Sequence, residues 1–235
     1  MGSDSFDWKV KNSVGFLLLN QPPANAMTLS FFIELDELTR KIKSVGNLKG
    51  IIISGQGRHF SSGADLKELT NSINHHLNYD QDAKSRSIPE FMLKNLESFN
   101  FFNDLNIPVV AAIKGVCIGS AFELALHCHF RLCAEKVVLG LPESTYGLIP
   151  GLGGIPRLMN IVSKITAMEF AFTGSTFNSA EALKKNLVDR VIAGKDVLSA
   201  AEKLVDIACV NYRKYNKKDY LHQLDNTLRN LKNTK

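Results

Sequence analysis

The sequence predicts an α/β fold organised on a largely parallel sheet, and three features carry that reading. Residues 50–55 (GIIISG) and 107–115 (IPVVAAIKG) are short, unbroken apolar runs, the pattern of strands covered on both faces. Phe32, Leu35, Leu38 and Ile42 recur at three- and four-residue spacing between two strand-like runs, so strand, amphipathic helix and strand follow one another as a crossover unit. Beyond Arg157 the apolar residues take helical spacing, and the sheet-forming part of the chain gives way to helices.

In chain order, residues 14–20 (VGFLLLN) read as the first strand, ended by Gln21-Pro22-Pro23. A turn at residues 25–28 leads to a helix over about 29–45, then the strand at 50–55. Residues 57–69 (GRHFSSGADLKEL) form a loop of small and polar residues that becomes helical near Ala64; such residues let a backbone approach a ligand closely. Residues 70–89 are polar without core-forming periodicity, which predicts a mobile surface segment of the kind that covers active sites. Ser87-Ile88-Pro89-Glu90 has the form of a capping box opening a helix to about Asp104. The stretch 113–157 then predicts strand, glycine turn, apolar helix, two short strands and a glycine-rich loop entering another helix. An amphipathic helix over 163–173 stops at Gly174, and a short helix follows at 178–185. A short strand is predicted at 188–192 and a long helix at 196–212. The basic tail from Tyr212 sets Leu221, Leu224 and Leu228 on one face.

Composition narrows the function classes. At 235 residues and 45% hydrophobic content, the chain suits one large domain or a domain with an appendage. A net charge of +5 permits an anionic ligand without requiring one, and no basic block interleaved with aromatics points to nucleic acid. Cys117, Cys128, Cys133 and Cys209 form no C-x-x-C pair and suit a reducing compartment. The N-terminus has no signal-like apolar core, and no apolar run reaches spanning length, so a soluble, cytoplasmic protein is expected.

Two carboxylates stand out. Glu123 falls inside an apolar helix, where a charge is costly without a partner or a task. Glu143 follows an apolar strand at the start of a loop. Two acids delivered from different elements into one pocket are suited to proton transfer. The local pattern favours another role for Glu123, since Ser120-Ala121-Phe122-Glu123 matches a helix capping box. Alone, Glu143 reads equally well as a solvated loop acid. The Pro150–Gly154 glycine run is weak support for an anion cradle. His127 and His129 point to different helix faces, which argues against a metal site. No nucleophile–histidine pattern and no P-loop is legible.

Several motifs, taken in order, resemble the crotonase superfamily of enoyl-CoA hydratases and isomerases: LNQPPANAMT, FSSGADLKEL, IPVVAAIKGVCIGSAFELALHC, LGLPESTYGLIPGLGGIPRL and FTGSTFNSAEALKKNLVDRVI, spanning about residues 14–192. The resemblance implies a spiral core of repeated strand-strand-helix units in residues 1–154. A helical C-terminal region, 155–235, would serve assembly as a homotrimer or a pair of trimers, and it ends short of the family's usual C-terminal helix. The resemblance further implies an acyl-thioester substrate on coenzyme A, with no separate cofactor and no metal. Backbone N–H groups of Ala64 and Ser120 would hold the thioester oxyanion, and Glu123 and Glu143 would be the catalytic acids. Gly119 and the backbone of Ala64, Asp65 and Leu66 would bind substrate, the last three at its adenine end. This set of motifs reverses the capping reading of Glu123. The family's usual glycine-rich turn is here Gly119-Ser120-Ala121, which keeps the backbone donor but narrows the pocket.

The expected activity is that of a lyase of fatty acid metabolism, an enoyl-CoA hydratase adding water to a 2-enoyl thioester. A double-bond isomerase is the alternative, as is a hydratase or dehydratase acting on a carrier-protein-bound acyl group. An RNA-binding role through Arg40, Lys41, Lys43 and Lys49 is weighed against a solvated helix face, which explains those charges more simply.

Overall fold

In the computed structural model, residues 5–44, 46–79, 88–193, 196–212 and 216–233 are described. Their sheet begins with a hairpin that the sequence reading passed over. β1 (Phe6–Lys11) pairs antiparallel with β2 (Val14–Leu19). The two residues between them, Asn12 and Ser13, have φ of 52° and 64°. Positive φ at both central positions gives a tight turn whose twist matches that of the strands it joins. Then β2, β3 (Gly50–Gly55), β4 (Val109–Ile118) and β5 (Phe130–Gly140) run parallel, each hydrogen-bonded to the next. Two short strands complete the sheet on β5: β6 (Thr176–Phe177) antiparallel and β7 (Arg190–Ile192) parallel. The predicted α/β class and parallel sheet are therefore present.

Helices cover both faces, which is why the central strands are apolar without alternation. Ile51 and Ile53 point one way, into a core with Phe31 and Leu35 of α1 (Leu29–Ser44), Phe99 and Phe102 of α3 (Glu90–Asp104), and Phe122 of α4 (Ser120–His127). Ile52 points the other way, with Val110 and Phe130, against Ala201, Leu204 and Val205 of α8 (Val197–Ala208) and Leu221 and Leu224 of α9 (Lys217–Asn233). Ile51, Ile52 and Ile53 are all fully buried. Each such side chain contributes about 1.5–3 kcal/mol relative to exposure.

Three expectations need correction. The polar stretch is helical over residues 70–79: α2 (Leu66–Tyr79) starts two residues after Ala64, and the Asp65 carboxylate accepts from the Glu68 N–H at 3.0 Å. Residues 80–87, and with them the expected Ser87 cap, lie outside the described residues. The two short strands expected after α4 are one strand, β5, which carries extra residues 134–136 opposite Lys114 and pairs with β4 on both sides of that irregularity. Finally, α6 (Lys164–Thr173) is not amphipathic: it buries Ala167, Phe170 and Ala171 yet leaves Ile165 82% and Phe172 66% exposed. The remaining helices are α5 (Gly154–Met159) and α7 (Ser179–Lys184), the latter closed by an Asn178–Glu181 capping box. Among the described residues, no helix is long and apolar enough to cross a membrane.

Candidate active site

The register of β4 and β5 decides where the two acids go. Ile118, the last residue of β4, sits opposite Gly140, the last of β5, and the Gly119 N–H donates to the Gly140 carbonyl at 2.9 Å. Both strands therefore leave the sheet side by side. The chain after β4 turns through Gly119, φ 58°, directly into α4 with Ser120 and Glu123. The chain after β5 enters a 3-10 turn, Pro142–Tyr146, that carries Glu143. Two isolated parallel bridges, Met27 to Ala64 and Ser61 to Cys117, lay the 57–65 loop against the same end of the sheet. Ala64, Ser120, Glu123 and Glu143 consequently line one cavity of about 70 Å³. Its apolar walls include Phe32, Ile73, Phe91, Met92 and Leu152. Asp65, Leu66 and Gly119 flank it without forming its wall.

The S-x-x-E capping box does not form. Gly119 is the N-cap of α4, with no side-chain cap bond. The Glu123 side chain points instead at the glycine loop, where its Oε1 accepts N–H bonds from Leu152 and Gly154, each at 2.8 Å. Thus the glycine run does cradle an oxygen acceptor, but it belongs to the protein's own Glu123 carboxyl. A side chain at Gly154 would overlap Glu123, since a Cβ there would lie 2.8 Å from its Cγ and 2.9 Å from its Oε1.

Ala64 and Ser120 present backbone donors. In the Met27 bridge the N–H of Met27 bonds to Gly63 and the N–H of Asp65 to Met27, which leaves the intervening Ala64 N–H unused. Ser120 opens α4, where an N–H has no intrahelical acceptor. Among the described residues, neither N–H donates to a protein acceptor. Gly63 holds the two segments together: φ is 84°, and a Cβ there would lie 2.6 Å from the Ile118 oxygen and 3.2 Å from the Ser120 nitrogen.

Both acids are held protonated beyond the ordinary carboxyl range. Burial raises Glu123, 1% exposed, to about 8, with repulsion from Glu143 adding to it and the Gly154 and Leu152 N–H bonds opposing it. Burial likewise raises Glu143 to about 7, and neither of its side-chain oxygens has a partner among the described residues. Between about 7 and 8 the two carboxyls together hold about one proton, and since Glu143 acts on Glu123 their titration belongs to the pair.

His127 is the neighbour that sequence reasoning discounted. It is fully buried, and its Nδ1–H donates to the Glu123 carbonyl at 2.8 Å. Burial lowers it to about 4, so it is neutral near pH 7 and supplies no charge to the acids. His129 is structural too, its Nδ1 accepting from the Val109 N–H and its Nε2 donating to the Asn103 carbonyl.

Comparison with known proteins adds an independent observation. The family model for enoyl-CoA hydratase/isomerase matches residues 9–232. A Bacillus subtilis (strain 168) protein named probable enoyl-CoA hydratase is 36% identical over 199 residues, covering 85% of this chain and 72% of its own. The fatty acid oxidation complex subunit alpha of Shewanella loihica is 35% identical over 198 residues; these are 82% of this chain but 27% of that subunit. The crystal structure of the enoyl-CoA hydratase from Bacillus anthracis superposes with a TM-score of 0.74 at 26% identity, over 95% of this chain and 88% of that one.

Proposed function

The chain belongs to the enoyl-CoA hydratase/isomerase family and has its crotonase fold, and from that premise we propose that it hydrates 2-enoyl thioesters to 3-hydroxyacyl thioesters. The observation that carries this reading is the meeting of two unpaired backbone donors and two buried carboxyls in one apolar cavity. The thioester oxygen lies between the Ala64 and Ser120 N–H groups, which take up the negative charge as the enolate forms. One such donor is worth on the order of 3 kcal/mol elsewhere. Glu123, pinned through Oε1, offers Oε2 to a water and takes its proton as the hydroxyl adds to Cβ. Glu143 gives its proton to Cα. The reacting arrangement has Glu143 protonated and Glu123 ionised, the less populated of the two one-proton states, and the proton that Glu123 gains passes back to Glu143 before the next turnover.

This sharing fixes the pH dependence. With both acids protonated there is no base, and with both ionised there is no donor. Hydration kcat/KM is expected to be bell-shaped, highest between about 7 and 8 and falling on either side. A pH–rate profile flat from 5 to 10 would remove the two-acid mechanism. The decisive assay is loss of conjugated enoyl absorbance with a panel of 2-enoyl-CoA thioesters. Activity only on 3-enoyl thioesters makes the protein an isomerase, and activity only on carrier-bound acyl groups identifies a carrier-dependent enzyme.

We also propose that α6 meets a second copy of the chain in a homotrimer or hexamer. Ile165, Met168 and Phe172 form an exposed apolar stripe at helical spacing, on the side away from the buried Ala167, Phe170 and Ala171. Light scattering at micromolar concentration is expected to give three or six times the chain mass; a monomer would refute it.

A further inference from the structure

A second cavity of about 370 Å³, sharing no lining residue with the first, lies among α4, β5, α5 and α9. The hydration reaction has no use for it. Its size falls within the range of ligand sites, about 300–1,000 Å³. Three cationic side chains line it: Arg131 on β5, Arg157 on α5 and Lys217 at the start of α9. No carboxylate among the described residues does.

The two guanidinium groups are held only by neutral acceptors. Arg131 is 5% exposed; its Nε donates to the Leu187 carbonyl and its Nη1 to the Cys128 carbonyl, both at 2.9 Å. Arg157 donates through Nη1 to the Asn103 side chain at 2.6 Å and through Nη2 to the Asn100 side chain at 2.9 Å. Among the described residues, no carboxylate lies within ion-pair distance of either guanidinium. Lys217 has a partner in Asp189 at 2.8 Å and sits over the Phe130 ring at 5.4 Å. Even with that partner, burial and then repulsion from Arg131 lower it to about 8. Arg131 is thus a buried cation with no carboxylate at ion-pair distance, a costly state that a bound anion relieves, while Arg157 and Lys217 are half-buried beside it. The remaining wall is apolar and aromatic, with Leu126, Phe130, Ile161, Tyr212 and Tyr220.

We propose that this cavity binds a small organic anion, with its carboxylate or phosphoryl oxygens on Arg131, Arg157 and Lys217 and a planar or apolar body against the aromatic wall. Arginine forks suit both oxyanions. The site is distinct from the thioester site: α5 carries Arg157 into this cavity and the Gly154 N–H into the other.

The test is calorimetry of benzoate and phenyl phosphate against neutral benzamide, with Lys217→Met, which lies outside the thioester site, separating binding here from binding there. One anion per chain is expected to bind about tenfold or more tighter than benzamide. Whichever anion binds tighter identifies the preferred headgroup. Arg157→Gln and Lys217→Met are each expected to weaken binding by about tenfold or more. Arg157 also ties α5 to α3, so Lys217→Met, at a half-exposed helix start, decides if Arg157→Gln does not fold. A crystal soaked with 4-bromobenzoate provides a measurement that needs no variant: the bromine signal should fall in this cavity. Anions binding no tighter than benzamide, a folded Lys217→Met with unchanged affinity, or bromine found only elsewhere would each overturn the proposal.

Discussion

Glu123→Gln and Glu143→Gln are each expected to lose most hydration activity while gaining stability. Each change keeps size and hydrogen bonding but removes the exchangeable proton, and general acid–base catalysis of this kind is worth about 10²–10⁴-fold. Substrate affinity should change little, because the oxyanion donors are backbone groups. The stability gain follows from the sign of the shifts. Both carboxyls are raised above the ordinary 4.5, to about 8 and about 7. A group raised in the folded state contributes stability that is fully present below its unfolded value and is lost as pH rises through its folded value. Above that range the wild type carries two buried charges and the glutamine variants carry one. The melting temperature of Glu123→Gln should therefore exceed wild type by more at pH 9 than at pH 5. The gain is of order a few kcal/mol at the higher pH. An inactive variant that is also less stable at pH 9 would assign Glu123 a structural role. Full hydration by Glu123→Gln would leave Glu143 as the sole acid and favour the isomerase. For a 3-enoyl thioester, isomerisation should depend mainly on Glu143.

What could be read from the sequence was what leaves a side-chain signature over a few residues. The doubly covered strands show as unbroken apolar runs because α1, α3, α8 and α9 shield both faces. Glu123 and Glu143 show as acids in apolar surroundings. β1 did not show, because it lies at the sheet edge and its second half, Lys9, Val10 and Lys11, is exposed on both faces. The start of α2 was legible near Ala64, but its continuation beyond Leu69 was hidden by its polarity, although Leu69 and Ile73 stand four apart and both line the cavity. The capping reading of Glu123 failed for a different reason. Its true partners, Leu152 and Gly154, lie 29 and 31 residues ahead, beyond any local pattern. The donors at Ala64 and Ser120 could be found only through family resemblance, since a backbone N–H has no residue type to announce it. Gly63 and Gly119 are the nearest thing to a signal, and a glycine in a loop is too common to point to a donor.

Gly63→Ala is expected to disable the oxyanion donors without touching either acid. At φ 84° an alanine is strained, and its Cβ would meet the Ile118 carbonyl oxygen at 2.6 Å and the Ser120 nitrogen at 3.2 Å. Those atoms are backbone and cannot rotate away, so the 61–64 loop or the β4–α4 turn must move. Either movement separates the Ala64 N–H from the Ser120 N–H, the pair that must converge on one oxygen. Misplacing such a donor costs about 10²–10³-fold in kcat. The loss should fall on kcat more than on KM, because the donors bond more strongly to the enolate than to the ground-state carbonyl. Gly57→Ala is the matched control. Gly57 has a φ of 65° but open space around its Cβ, so it incurs the backbone strain alone. Both variants should lose comparable backbone stability, and only Gly63→Ala should lose turnover out of proportion. Equal kcat in the two variants at matched folded fraction would show that the Ala64–Ser120 pair does not hold the reacting oxygen.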